Sequence, residues 1–279
     1  MWSLLEFFPE VFLIDVLDVG ASLNDMPPYE SLIEARRARL IGFEPDPTEL
    51  ARLQQLYGAP HRFFPHFIGD GRPGIYHETN WALTGSLYPP NTPLLEKFQN
   101  LAEVTRPVAQ HPVSTTRLDD LSEIGNVDFF KIDVQGGELN VFRHALKALS
   151  TTLVVMTEVG FVELYRGQPM FADVDAFLRS QGFQFHSFAD FGGRAFKPLV
   201  SGGDINLGFG QMLWSDAFYV RDWMALAKLD AQQLRKYAVL AHDVQRAYDL
   251  AHLVLQALDA KTGEKLADEY RARLIQSSG

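Results

Sequence analysis

Cysteine is absent from all 279 residues. That excludes disulfides, thiolate metal sites and a cysteine nucleophile, and it suits a reducing compartment such as the cytoplasm. Positive charge is scarce: 25 Lys and Arg face 35 Asp and Glu, a formal charge of −10. A nucleic-acid binder normally carries a basic face, and no Lys/Arg cluster stands out, so nucleic acid is not an expected partner. No run of about 18 uncharged apolar residues exists, so no membrane span is expected. The apolar but acidic start, "MWSLLEFFPEVFLIDVLDVG", lacks the basic n-region and the small-residue cleavage site of a signal peptide. The eight histidines show no metal-ligand spacing. What remains is a chain with 47% hydrophobic residues, enough for a core. Its length fits one large α/β domain with an appendage, or two small domains.

Six or seven segments read as buried strands: Leu13–Val19, Arg39–Phe43, Phe63–Ile68, Val127–Ile132, Leu153–Thr157, Phe183–Phe188 and Ala217–Val220. They are short and rich in Val, Ile, Leu and Phe without alternation, which suits a parallel sheet covered on both faces. Helical patterns at Pro47–Leu56, Glu138–Leu149 and Met170–Gln181 lie between them. This alternation predicts a doubly wound, mostly parallel sheet with ligands beyond the carboxyl ends of its strands. Residues 71–112 break the rhythm with prolines and with Tyr76, Trp81 and Tyr88, as either a substrate-covering lid or a packed excursion. A second long loop, Gly192–Gln211, is glycine-rich. After about residue 225 the chain reads as a C-terminal helical hairpin, 226–279. Its stripe Leu234, Tyr237, Ala241, Val244, Tyr248 and Ala251 would pack on the main domain, 1–225, or form a homodimer contact.

Acidic residues recur at the strand ends. Asp18, Glu44 and Asp70 are spaced 26 residues apart, and Asp133 and Glu158 are 25 apart. A carboxylate ending an apolar strand is costly unless paired or ligand-bound, so these mark either the rim of a site or helix caps. The first strand runs into "LDVGAS". A dinucleotide turn needs G-x-G-x-x-G so that its backbone closes on a pyrophosphate. Here the three positions are Gly20, Ser22 and Asp25, and a carboxylate against a diphosphate is repulsive. NAD and FAD are therefore disfavoured. S-adenosylmethionine (SAM) carries no phosphate and suits the turn. Asp18, with Gly20, Ala21 and Ser22, is placed for its methionine portion. Glu44 is placed for the ribose hydroxyls, and Asp70 with Gly71 for the adenine.

The stretches "LDVGAS", "GFEPDP", "TTRLDDL", "DFFKIDVQGGEL", "TEVGFVELYRGQP" and "LWSDAFYVRD" occur in the order seen in the FkbM family of SAM-dependent methyltransferases. The chain resembles that family over roughly residues 13–222. The resemblance implies a class I methyltransferase fold, Rossmann-like, with a seven-stranded sheet whose last strand is antiparallel. It also implies methyl transfer, mostly to hydroxyls of sugars, glycans or natural products and in some members to nitrogen. Three positions depart from the family pattern. Ser22 replaces an Asn, Asn24 replaces a Gly whose left-handed backbone Asn tolerates, and Gln135 replaces a Glu.

Methyl transfer requires alignment of acceptor and methyl group, and removal of a proton from a neutral alcohol. Asp133, over the sheet centre, is the expected base. Glu158 could pair with it, either raising one pKa or holding a divalent cation. Glu138 is either catalytic or stabilised at a helix start, and Tyr165 either lines the acceptor pocket or sits in the core. A nicotinamide oxidoreductase and a non-catalytic protein retaining the fold are the alternatives to a small-molecule or glycan O-methyltransferase.

Overall fold

The computed structural model describes residues 2–23 and 26–277. The chain builds a sheet with β1 (Ile14–Val19), β2 (Ala38–Phe43) and β3 (Arg62–Phe64). It leaves for a second sheet of β4 (Phe67–Ile68), β5 (Pro73–Thr79) and β6 (Pro107–Thr116). It then returns with β7 (Phe129–Ile132), β8 (Val154–Gly160), β9 (Phe183–Gly193) and β10 (Met212–Arg221). The main sheet has seven strands in the order β3-β2-β1-β7-β8-β10-β9. β10, the last strand, is antiparallel to both neighbours, and the other pairs are parallel. Strand order reverses between β1 and β7, which opens a crevice at their carboxyl ends. This is the class I methyltransferase sheet.

The segment Phe63–Ile68 is not one strand. Pro65 has no N–H to give a ladder, so β3 ends at Phe64, and Phe67–Ile68 pairs with β6 in the other sheet. The chain from Pro65 to the end of β6 is thereby turned away from the main sheet.

Side chains alternate across the main sheet and bury two apolar layers. On one face Leu17, Val19, Phe130, Ile132 and Val155 pack with Phe142 and Leu178. On the other, Ile14, Val16, Phe129, Val154 and Phe218 pack with Leu234, Tyr237, Val254 and Leu258 of the C-terminal helices. These helices are three, not the two of a hairpin: Ala231–Val239, Tyr248–Thr262 and Leu266–Ser277, with a π-helical turn, Leu240–Val244, between the first two. Leu234, Tyr237, Ala241 and Ala251 are fully buried within the chain. These four members of the stripe are therefore spent within the chain, the first of its two expected outcomes, while Val244 and Tyr248 are partly buried. Four fully buried aliphatic side chains, Leu234, Val254, Leu255 and Leu258, contribute about 6–12 kcal/mol of transfer free energy. That is comparable with the whole stability of a domain. A buried ion pair adds a fixed point, Lys236 Nζ to Asp128 Oδ2 at 2.6 Å.

Candidate active site

A cleft of about 1300 Å³ opens at the carboxyl ends of the main strands. Pockets for one small molecule usually hold about 300–1000 Å³, so there is room here for two reactants. Its first wall is the turn after β1. Gly20 has φ +82°, and a Cβ there would run into the carbonyl oxygen of Asp133. The N–H groups of Gly20 and Ala21 both donate to Phe43 O, at 3.0 and 3.1 Å, which ties the turn to β2. Gly20 and Ser22 line the cleft, whereas Ala21 is buried beneath it. Asn24 and Asp25 lie outside the described residues.

Asp18 is buried and already partnered. Its Oδ2 accepts from Tyr29 Oη at 2.5 Å and its Oδ1 from Lys131 Nζ at 3.1 Å. Lys131 stands directly opposite it on β7. Burial alone would pull the Lys131 ammonium down, but Asp18, Asp133 and Asp216 more than offset this and its pKa is raised. Asp18 thus anchors Lys131. Glu44, at the end of β2, lines the cleft, and its Oε1 accepts from Asp46 N at 2.7 Å. Burial, reinforced by Asp46, Glu49 and Asp18, pushes its pKa up to about 7.

Asp70 and Gly71 do not line the cleft. With the third strand broken at Pro65, Asp70 follows β4 in the second sheet, and its Oδ1 accepts from Arg72 N at 3.0 Å within its own turn. The cleft wall expected of them is formed by His66, Phe67 and Ile68.

Past β7 the residues converge. Asp133 Oδ1 accepts from Gln135 Nε2 at 2.8 Å, and Gln135 Oε1 lies 2.9 Å from Tyr165 Oη. Tyr165 is buried and also reaches Thr84 O at 3.0 Å. Burial first and Glu158 second hold its pKa well above the usual phenol value, so the hydroxyl keeps its proton. Gln135 has φ +56°, and its carbonyl accepts from Ser86 Oγ at 2.6 Å, bolting the 71–112 insertion to this loop. The same insertion brings Tyr76, Trp81 and Tyr88 to the cleft, which Trp214 also lines. A glutamate at 135 could not donate to Asp133 as the amide does.

Glu158 lines the cleft and faces Asp216 across β8 and β10. Burial, then Asp133, Glu138 and Asp216, raise its pKa well above the carboxylate range. Glu138 does not line the cleft. Its Oε1 accepts from Val134 N at 2.9 Å and Gly136 N at 3.2 Å, holding the loop that presents Asp133 and Gln135. Burial and then Asp133 push its pKa to about 7. Among the described residues no three His, Asp or Glu side chains gather as a metal site. A cation between Asp133 and Glu158 therefore lacks a third such ligand.

The model of the methyltransferase FkbM domain matches residues 18–185. This chain belongs to the FkbM methyltransferase family. It is a SAM-dependent methyltransferase. No curated protein matches it. Similar solved structures include a protein assigned as a methyltransferase from Thermoplasma acidophilum, at 11% identity over 76% of this chain and 69% of that one, TM-score 0.39. A second, assigned as a SAM-dependent methyltransferase, comes from Listeria monocytogenes: 8% identity, 78% and 95% coverage, TM-score 0.38. A third is the 16S rRNA (adenine(1408)-N(1))-methyltransferase D21A mutant from Catenulisporales acidiphilia, at 12% identity, 76% and 89% coverage, TM-score 0.32. Likenesses this distant carry no assignment of acceptor or residue role. The third does correct the exclusion of nucleic acid. An rRNA methyltransferase stands among the structures similar to this FkbM chain, and net charge is a sum that does not describe any one face.

The residues present fit SAM. Gly20 and Ser22 line the cleft in a turn without the pyrophosphate pattern, and Glu44 follows β2 with one carboxylate oxygen beyond its bond to Asp46. Sequence reasoning passed over Lys131 and Asp216 as site residues in this FkbM protein and singled out Gln135 only as a departure from the family pattern. Period-two alternation puts Lys131 on the face of Phe129, but that Asp18 stands beside it depends on the β1–β7 register. The pairing of Asp216 with Glu158 likewise depends on antiparallel register.

Proposed function

We propose that this FkbM protein methylates a hydroxyl oxygen of a sugar, glycan or secondary metabolite, and that it works in the cytoplasm, the compartment its lack of cysteine suits. The observation that supports this most is the pair Asp133 and Glu158 in the same cleft, with Glu158 biased toward its protonated form. Bound SAM supplies an electrophilic methyl group. A neutral alcohol that receives it must lose its proton, so the site needs a carboxylate held ready. In this reading Gln135 fixes Asp133 Oδ1 and leaves Oδ2 to take that proton. Glu158 shares the proton within the pair. Tyr165, its hydroxyl protonated, donates to Gln135 and keeps the amide turned so that it donates to Asp133. Gly20, Ser22 and Glu44 hold the cofactor. Asp18 acts from behind through Lys131, and Glu138 through the loop. The aromatic rings of Tyr76, Trp81, Tyr88 and Trp214 offer the flat apolar surfaces on which a sugar ring or polycyclic metabolite packs.

The test is direct. The protein is incubated with methyl-labelled SAM and separate pools of sugars, polyols, phenols, amines and RNA, and each product is read by mass and NMR. A new O-methyl resonance on a hydroxyl compound supports the reading. Transfer confined to nitrogen, or to RNA, overturns it.

A further inference from the structure

The C-terminal extension lies outside the matched residues 18–185, yet it reaches the cleft with Asp243, Val244, Gln245 and Arg246. It arrives on a definite face. Asp18, Lys131, Glu158 and Asp216 share, by period-two alternation, the sheet face carrying Val16, Phe129, Val154 and Phe218, which the C-terminal helices cover. These polar side chains form the carboxyl-end margin of that apolar layer, and residues 243–246 close over it.

Two backbone irregularities produce this closure. The helix widens into the π turn Leu240–Val244, and Arg246 follows with φ +57°. π turns and non-glycine residues in left-handed backbone are both concentrated at functional sites. The segment is held firmly: Asp243 accepts from Ser3 Oγ at 3.0 Å and Leu4 N at 3.2 Å, and Ala247 N donates to Ala241 O at 2.8 Å.

The polar side chains of Gln245 and Arg246 are not engaged in the same way. Both polar atoms of the Gln245 amide are buried without a hydrogen-bond partner among the described residues. A buried amide left this way is costly and calls for an absent partner. Among the charged residues of the cleft lining, eight are Asp or Glu and three are Lys or Arg: Lys131, Arg194 and Arg246. Lys131 is held by Asp18 at 3.1 Å. Arg194 Nη1 donates to Gly193 O and Asn206 O, both at 2.9 Å, and its guanidinium lies over Trp214. Arg246 makes no ion pair with a described residue.

SAM brings a carboxylate into a cleft whose charged lining is mostly acidic, and Asp18, expected to serve the methionine portion, is already taken by Tyr29 and Lys131. We infer that Arg246 and the Gln245 amide receive the methionine carboxylate of the cofactor, so that the C-terminal extension completes the cofactor site. This rests on SAM as cofactor, not on the nature of the methyl acceptor. A guanidinium and an amide N–H both donate to a carboxylate, and the charged bond is the stronger.

The test compares S-adenosylhomocysteine, SAM and decarboxylated SAM by calorimetry on the full chain. The variants are Arg246→Asn, which tolerates left-handed backbone, and Gln245→Met, which keeps length without polarity. Arg246→Asn should weaken S-adenosylhomocysteine and SAM by about tenfold, the worth of one partly exposed charged hydrogen bond. Decarboxylated SAM should bind parent and variant alike, and Arg246→Lys should restore part of the loss. Higher salt should narrow the gap between parent and variant. Equal losses for all three ligands would mean a general change of structure and would overturn the assignment. Unchanged binding of S-adenosylhomocysteine would overturn it too, whatever then happened to acceptor turnover.

Discussion

Replacing Glu44 by Gln tests the cofactor site at its most exposed assumption, that this carboxylate receives the ribose hydroxyls. Oε1 is engaged by Asp46 N at 2.7 Å, and a glutamine keeps that bond, so the helix cap at Asp46 should survive. What changes is the other oxygen. A hydrogen bond to a charged acceptor contributes about 1.5–3 kcal/mol. Glu44 is only partly buried, so about 1.5–2 kcal/mol, a 10- to 30-fold rise in Kd, is the expected cost. The group's pKa of about 7, raised chiefly by burial, adds a second signature. A hydroxyl donates better to the carboxylate than to the acid. Cofactor affinity of the parent should therefore rise with pH between about 6 and 8 and then level off, and the variant should lose this rise. Calorimetry with S-adenosylhomocysteine at the two pH values measures both. A Kd within twofold of the parent, in a variant that melts as the parent does, would refute the role of Glu44.

Asp133→Asn should leave S-adenosylhomocysteine affinity level and cut methyl transfer by about 10²–10⁴-fold, the usual worth of a positioned base, read as single-turnover kinetics on the identified acceptor. Glu138 has its folded pKa raised from 4.5 to about 7 by burial. The folded chain thus binds that proton more tightly than the unfolded one, and stability is greatest below about pH 4 on this account and falls as pH rises through 7. The span is on the order of 3 kcal/mol, and Glu138→Gln should flatten that slope in urea titrations. Deleting residues 226–279 should give an insoluble or unfolded product, because it removes one apolar layer of the sheet. A truncated protein with native circular dichroism and the parent's melting temperature would count against that packing.

The positions of the parallel strands were legible because a buried parallel strand must be a short apolar run; the antiparallel β9 and β10 run on beyond the apolar stretches that marked them. The turn at Gly20 was legible as well, since only glycine leaves room beneath the Asp133 carbonyl. Asp133 and Glu44 reach the cleft because each follows a strand end, and strand ends are visible in the chain, whereas Glu158 lies inside β8, which runs on to Gly160. Equal spacing misled at Asp70. One proline, by withholding a ladder donor, sent the second half of that segment, Phe67–Ile68, into another sheet, and a count of residues cannot register where a strand finds its partner. Glu138 and Asp18 carry acids into the same region, but hydrogen bonds to Val134, Gly136, Tyr29 and Lys131 turn them to holding the site together. The C-terminal stripe was plain as a pattern and silent about its partner, because periodicity states that a face will be buried and not against what. Local chemistry determined the strands, the turn and the types of residue at the rim. Which carboxylates face one another, and which distant segment closes over them, only the packing of the whole chain could decide, because those contacts join residues separated by up to two hundred positions or more.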